Sequence, residues 1–245
     1  MRFDALSDIG LVRKVNQDTC GIVGKENGYM LFMVADGIGG GKAGDVASNM
    51  TIDMMHDLFD IEVFDGTNTP VHWLRTAIEN VNRAILIKAS QDYNCNGMGT
   101  TLVGALYTEK KTHVFNVGDS RCYLLKEGQM KCVTKDHTLM ASMIENGIWE
   151  PQSVLNNASR NVLINALGID QPLRIDIESY NNDYDAILLC SDGLYGYVDE
   201  EEIARVMFDK ELTVKEKSRR LVDLANQAGG YDNISIVIME QGANE

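Results

Sequence analysis

YMLFMVADGIGGGKAG, residues 29–44, is the stretch on which the rest of the reading turns. Its first seven residues, Tyr29 to Ala35, are mostly apolar, and that length and richness in Val, Phe and Met predict a buried β-strand. The strand delivers Asp36 at its end, and glycines follow at Gly37, Gly39, Gly40 and Gly41. A carboxylate fixed at the end of a dry strand is costly unless something pairs with it. The glycines predict a sharp turn that brings the Gly37 carbonyl close to whatever Asp36 binds. A second apolar run, Ala186 to Cys190, ends the same way with Ser191, Asp192 and Gly193. Two strands that each carry an Asp-Gly to their end predict one shared cation site.

The 245 residues suit one domain, residues 1–245, with a full core. A net charge of −14 argues against nucleic acid or an anionic membrane surface as partner, since both select Lys/Arg patches. Five cysteines, an odd number with no CxxC pair, fit reduced thiols better than a disulfide framework or a zinc site. No basic-then-apolar leader opens the chain, and no apolar run approaches the ~20 residues that span a bilayer. The expectation is a cytoplasmic protein, a monomer by default, with no membrane partner.

Working outward, apolar residues from Ala43 to Phe59 recur at helical spacing, and Pro70 opens a second amphipathic helix reaching about Asp92. Short strands follow at 100–108, 113–117, 122–126 and 130–134, with connections so short that they predict antiparallel hairpins. Residues 136–168 read as irregular helix with a break at Pro151 to Asn157. A strand pair near 173–190 comes next. Asp199 with Glu202, and Thr213 with Glu216, have capping-box spacing and open two more helices. Ile234 to Met239 closes as a strand. The pattern is α+β, an antiparallel core covered by helices.

Several motif matches fail on inspection. Gly39 to Gly44 fits GxGxxG, with Asp57 and Asp60 near the place of a ribose-binding acid, but Asp36 would repel a pyrophosphate and no repeating βαβ units follow. A Walker loop fails because Ala43 replaces the hydroxyl residue. Asp183-Tyr184-Asp185 precedes its strand instead of following it. His56, His72, His113 and His137 show no metal-ligand spacing and read as surface or core residues.

What survives is a set of aspartates at the ends of apolar runs: Asp18, Asp36, Asp119, Asp192 and Asp232. Oxygen-only donors suit hard cations such as Mg²⁺ or Mn²⁺, and their wide separation excludes a local calcium loop.

In order, the runs SDIGLVRKVNQD, VADGIGGGKAGDVAS, GMGTTL, NVGDSRCYLL, TKDHTL, NVLINALG, LLCSDGLYGYV and AGGYDNISIVI resemble the bacterial metal-dependent Ser/Thr protein phosphatases of the type 2C (PPM) family. They span residues 7 to 238. The resemblance implies a four-layer αββα sandwich, two antiparallel sheets flanked by helix pairs, with a metal cleft at one end. It implies that Asp36 bridges two Mn²⁺ or Mg²⁺ ions, that the Gly37 carbonyl joins it, and that Asp192 and Asp232 complete the second ion's shell. Asp18 would bind through metal-held water, and Asp119 would serve a third, weaker ion. Arg13 would clamp the substrate phosphate, and residues 137–165 would form a flap beside the cleft. The implied reaction is hydrolysis of phosphoserine and phosphothreonine by direct attack of a hydroxide bridging the two ions. Phosphorylated proteins are then the substrates and a cognate Ser/Thr kinase the counterpart. Two positions depart from common family usage: Gln17 stands where many members carry Glu, and Ile38 where animal members place a proton-donating His. A regulatory module on the same fold without catalysis is the alternative from a different class.

Overall fold

The structure, a computed structural model, describes residues 1–38, 43–64, 69–147, 162–169 and 172–242. The glycines at 39–41 and the break at 151–157 lie outside these residues, as does the middle of the flap region.

Residues 30–38 form β3 (Met30–Ile38), whose first six residues are apolar because both faces of the strand are covered there. Leu31, Met33 and Ala35 point to one core with α1 (Gly44–Ile61) and α2 (Pro70–Gln91), while Phe32 and Val34 point to another. The same division holds in β10 (Ala186–Cys190) and β11 (Ile234–Glu240). There Leu188, Cys190, Ile236 and Ile238 face α5 (Glu200–Phe208) and α6 (Val214–Gln227), while Ile187, Leu189 and Val237 turn inward. Three cores separated by two sheets give four layers: helices, sheet, sheet, helices.

One sheet runs β1 (Arg2–Asp8), β11, β10, β7 (Arg121–Lys126), β8 (Gln129–Cys132). The other runs β2 (Asp18–Gly24), β3, β5 (Leu102–Tyr107), β6 (Lys111–Val117), β9 (Asp176–Asn181), with the short β4 (Gly99–Thr100) paired to the end of β3. The strand pairs are antiparallel. The α+β reading and the αββα sandwich stand.

Five local expectations change. The strand at 29–35 continues through Asp36 and Gly37 to Ile38, so Asp36 is a strand residue and not a turn residue. Gly37 is needed for close approach: a Cβ there would lie 2.2 Å from the Gly44 carbonyl oxygen and 2.6 Å from that of Gln17. Residues 7–23 read in sequence as a polar insert, yet Asp18–Gly24 forms β2, whose Asp-Thr-Cys-Gly composition carries little strand signal. Strands β9 and β10 belong to different sheets, so the pair expected near 173–190 does not form. Asp199 occupies the N-cap of α5 without a side-chain cap, whereas Thr213 and Glu216 form the full capping box of α6. Between 136 and 147 only Leu139–Glu145 is helical (α3).

Candidate active site

The inward face of both sheets changes from apolar to polar at one end. In β2 the inward side chains are Ile22, Cys20 and then Asp18; in β3 they are Phe32, Val34 and then Asp36. The register places Asp18 directly opposite Asp36, on one face of the sheet. Across the sandwich Ser191 and Ser235 extend the inward rows of β10 and β11. The Ser191 hydroxyl donates to Asp18 Oδ2 at 2.7 Å and accepts from Ser235 N at 2.9 Å. Thr101 Oγ1 accepts from Asp36 N at 3.0 Å and shares a 2.8 Å hydrogen bond with Ser120 Oγ. A two-residue periodicity that buries methyl groups along most of the sandwich thus ends in a belt of oxygens.

Above this belt opens a cavity of about 250 Å³ lined by Arg13, Asp36, Gly37, Asp119, Asp192 and Asp232, with Gln17, Ile38, Leu163 and Asn233. Asp192 opens the single-turn helix α4 (Asp192–Tyr195) directly after β10, and Asp119 sits in the turn between β6 and β7. The chain therefore brings all five aspartates and Arg13 to one end of the sandwich, Asp18 lying just beneath the cavity.

The acids perturb one another. Burial pushes Asp18 up to about 7, with the Asp192 charge adding to it against the Ser191 hydrogen bond. Burial also pushes Asp119 up to about 7, helped by Asp192 and Asp136, and Asp192 to about 6, helped by Asp232. Asp36 is raised well above the carboxylate range, first by burial and then by Asp18, Asp192, Asp119 and Asp232 in turn. Asp18 stands directly opposite it across the β2–β3 pair, and Asp192 lines the same cavity. Like charges this close cannot all ionise without a counter-cation.

Among the described residues lining the cavity Arg13 is the one basic side chain, and it is only half committed to the cavity. Arg13 Nη2 donates to Asp232 Oδ2 at 2.7 Å and its Nε donates to the Tyr231 carbonyl at 3.3 Å. Asp232 Oδ1 accepts from Asn233 N at 2.9 Å. Among the described residues no three His, Cys, Asp or Glu side chains are gathered into a closed cation cage. The acids are instead satisfied by Arg13, Ser191 and each other. The donor chemistry still fits hard divalent cations: carboxylates and a backbone carbonyl, no sulfur, and an excess of negative charge drawn from separate strands.

Residues that sequence reasoning passed over support this arrangement. Asn233 ties three segments together, accepting from Gln17 N and donating to the Ile9 and Val15 carbonyls. His137 is buried beneath the Asp119 turn. Its Nδ1 accepts from Gly118 N at 3.1 Å and Asn165 Nδ2 at 2.7 Å, and its Nε2 faces Asp176 at 3.1 Å. Arg121 grips Asp136 with two hydrogen bonds and lies over the ring of Tyr195, whose hydroxyl donates to the Asp119 carbonyl. None of these partners is near in sequence. Only the runs NVGDSR and TKDHTL, where His137 and Arg121 stand, could have pointed to them.

Residues 12–227 match the family described as Protein phosphatase 2C. Over 244 residues the chain is 34% identical to the serine/threonine phosphatase stp of Listeria monocytogenes, covering 98% of this chain and 96% of that one. A crystal structure of a bacterial serine phosphatase superposes with a TM-score of 0.92 at 31% identity, covering 100% of this chain and 99% of that chain. The catalytic domain of the serine threonine protein phosphatase PstP, crystallised in complex with two manganese ions, superposes with a TM-score of 0.81 at 31% identity, over 98% of this chain and 97% of that one. Sandwich, cleft and likeness agree, and the chain belongs to the protein phosphatase 2C family.

Proposed function

We propose that this phosphatase hydrolyses phosphoserine and phosphothreonine in proteins, at the aspartate cleft and with two bound Mn²⁺ or Mg²⁺ ions. The observation that carries the reading is the convergence of five aspartates from five separate segments around Arg13. Asp36, the Gly37 carbonyl, Asp192 and Asp232 would hold the ion pair, with Asp18 acting from beneath and Asp119 available to a third ion. Bound there, the ions supply the Lewis acidity that turns water into a nucleophile near neutral pH and offsets charge on the phosphoryl oxygens.

The chain's own groups do the rest. Thr101 and Ser191 fix Asp36 and Asp18 by hydrogen bonds, so the acids present oxygens without reorganising. Arg13 is tethered through Nε to the Tyr231 carbonyl and can offer its remaining donors to phosphate oxygens, a planar recognition that Lys does not reproduce. Ile38 and Leu163 make the wall apolar and carry no proton for the leaving group. Leu163 also sets the end of the 137–165 segment beside the cleft, which supports that segment as a flap. Residues 1–245 make one catalytic domain in this reading, monomeric. A Ser/Thr kinase must exist to make the substrates.

The test is release of inorganic phosphate from a phosphothreonine peptide with Mn²⁺ and with EDTA. Release that requires the ion is expected. Binding of Mn²⁺ without release from any phosphate ester would favour the non-catalytic regulatory module instead.

A further inference from the structure

Six of the fourteen exposed large apolar side chains among the described residues belong to two loops and a turn beside Arg13: Ile9, Leu11, Val12, Val15, Tyr197 and Tyr231. Single exposed apolar residues need no explanation, but a cluster beside the arginine of a cleft does. The loops that carry it are stapled together. Leu11 N and Val12 N both donate to the Gly230 carbonyl, at 2.8 and 3.1 Å, and Asn233 Nδ2 donates to the carbonyls of Ile9 and Val15. Gly10, at φ +77°, permits this contact, since a Cβ there would lie 2.3 Å from the Asp232 carbonyl oxygen. The Tyr197 and Tyr231 rings meet with centroids 5.5 Å apart. Tyr197 lies close enough to the cleft to feel the charges of Asp232, Asp192 and Arg13. Leu11 is nevertheless 70% exposed and Val12 58% exposed. A backbone this firmly held could turn those side chains inward or carry polar ones; it displays them.

We propose that Leu11, Val12, Tyr197 and Tyr231 form a docking rim for an apolar side chain next to the phosphoresidue of the protein substrate. The inference rests on the phosphatase reading and adds a substrate preference to it. An extended peptide advances ~3.3–3.6 Å per residue, so a phosphate held at Arg13 leaves its first and second neighbours within about 7 Å. Val12 adjoins Arg13 in the chain and the Tyr231 carbonyl accepts from Arg13 Nε, so the rim borders the cleft on that side. Burying one apolar side chain on a pre-ordered surface gains binding without the cost of ordering a loop. The occupant is therefore a phosphopeptide with Leu, Ile or Phe beside the phosphoresidue.

The experiment compares two phosphothreonine peptides of equal length and net charge, one with Leu on both sides of the phosphothreonine and one with Gln. Both are assayed with Mn²⁺ beside p-nitrophenyl phosphate, which has no flanks. The wild type is expected to favour the Leu peptide by about fivefold or more in kcat/KM, mostly through KM. Leu11→Ser and Tyr197→Ser, both at exposed positions, should bring that ratio close to one. Equal rates for the two wild-type peptides would overturn the rim while leaving the phosphatase reading intact. So would a ratio that survives both substitutions. Loss of a dimer in Leu11→Ser with the ratio unchanged would assign this face to a second copy of the chain and overturn the proposal. No hydrolysis of any of the three substrates would sink the phosphatase reading itself.

Discussion

Two carboxyls toward the ends of core strands, Glu240 and Asp36, are treated in opposite ways. Glu240 ends β11 and accepts from Lys217 Nζ at 2.6 Å and Arg2 Nη2 at 2.9 Å, while Lys217 also donates to the Met207 carbonyl. Its charge is met by cations of the same chain, one of them buried in α6. Asp36 lies near the end of β3 among four other aspartates, with Arg13 already on Asp232. Among the described residues the structural acid is met by two cations, whereas the cleft's five aspartates share Arg13.

Each prediction attacks one side of that contrast. The largest effect is expected from Asp36→Asn. Turnover of a phosphothreonine peptide should fall on the order of 10³-fold, since an amide cannot bridge cations as a carboxylate does. The melting temperature of the metal-free protein should nonetheless rise, because the amide donates to Asp18 and Asp192 and removes a like charge. A lower melting temperature would mean that Asp36 is structural. Lys217→Met tests the other side. It leaves Glu240 buried against the exposed Arg2 alone and should cost about 3–5 kcal/mol in urea unfolding. A cost under about 1 kcal/mol would make the two acids equivalent and break the contrast.

Arg13→Ala should raise KM for phosphopeptides about tenfold and barely change stability, since this ion pair is half exposed. An unchanged KM would remove Arg13 from phosphate binding. The smallest effect is on the pH dependence of melting without metal. Asp18 and Asp119 titrate near 7 in the fold, against ~3.9 when unfolded. Between those values the native state holds protons that the unfolded chain has released, so stability is greatest at low pH and is lost as pH rises through 7. Melting scans from pH 5 to 8 should show a fall of several degrees, flattened by Mn²⁺. A rise would contradict the clustered acids.

The layers were legible because doubly covered strands read as unbroken apolar runs. Ala186 to Cys190 matches β10 residue for residue, and the two long helices agree to within two residues at each end. The aspartates stood out because each lies at one end of such a run or beside one. What the sequence hid was pairing at long range. Nothing near Arg13 announces Asp232, 219 residues away, and nothing near His137 announces Gly118 and Asn165. Strand β2 was hidden for a different reason: its Asp18, Thr19 and Gly21 are chosen for the cleft and for contact with α1, at the expense of strand propensity. A Cβ at Gly21 would lie 2.7 Å from the Ile52 side chain.

Isothermal titration of the metal-free protein with Mn²⁺ at pH 7, run in two buffers of different ionisation enthalpy, tests the central claim most directly. Two ions per chain should bind with release of protons, because the raised carboxyls must give theirs up, and Asp36→Asn should lose this binding. Absence of binding, or binding that Asp36→Asn leaves untouched, would contradict the account.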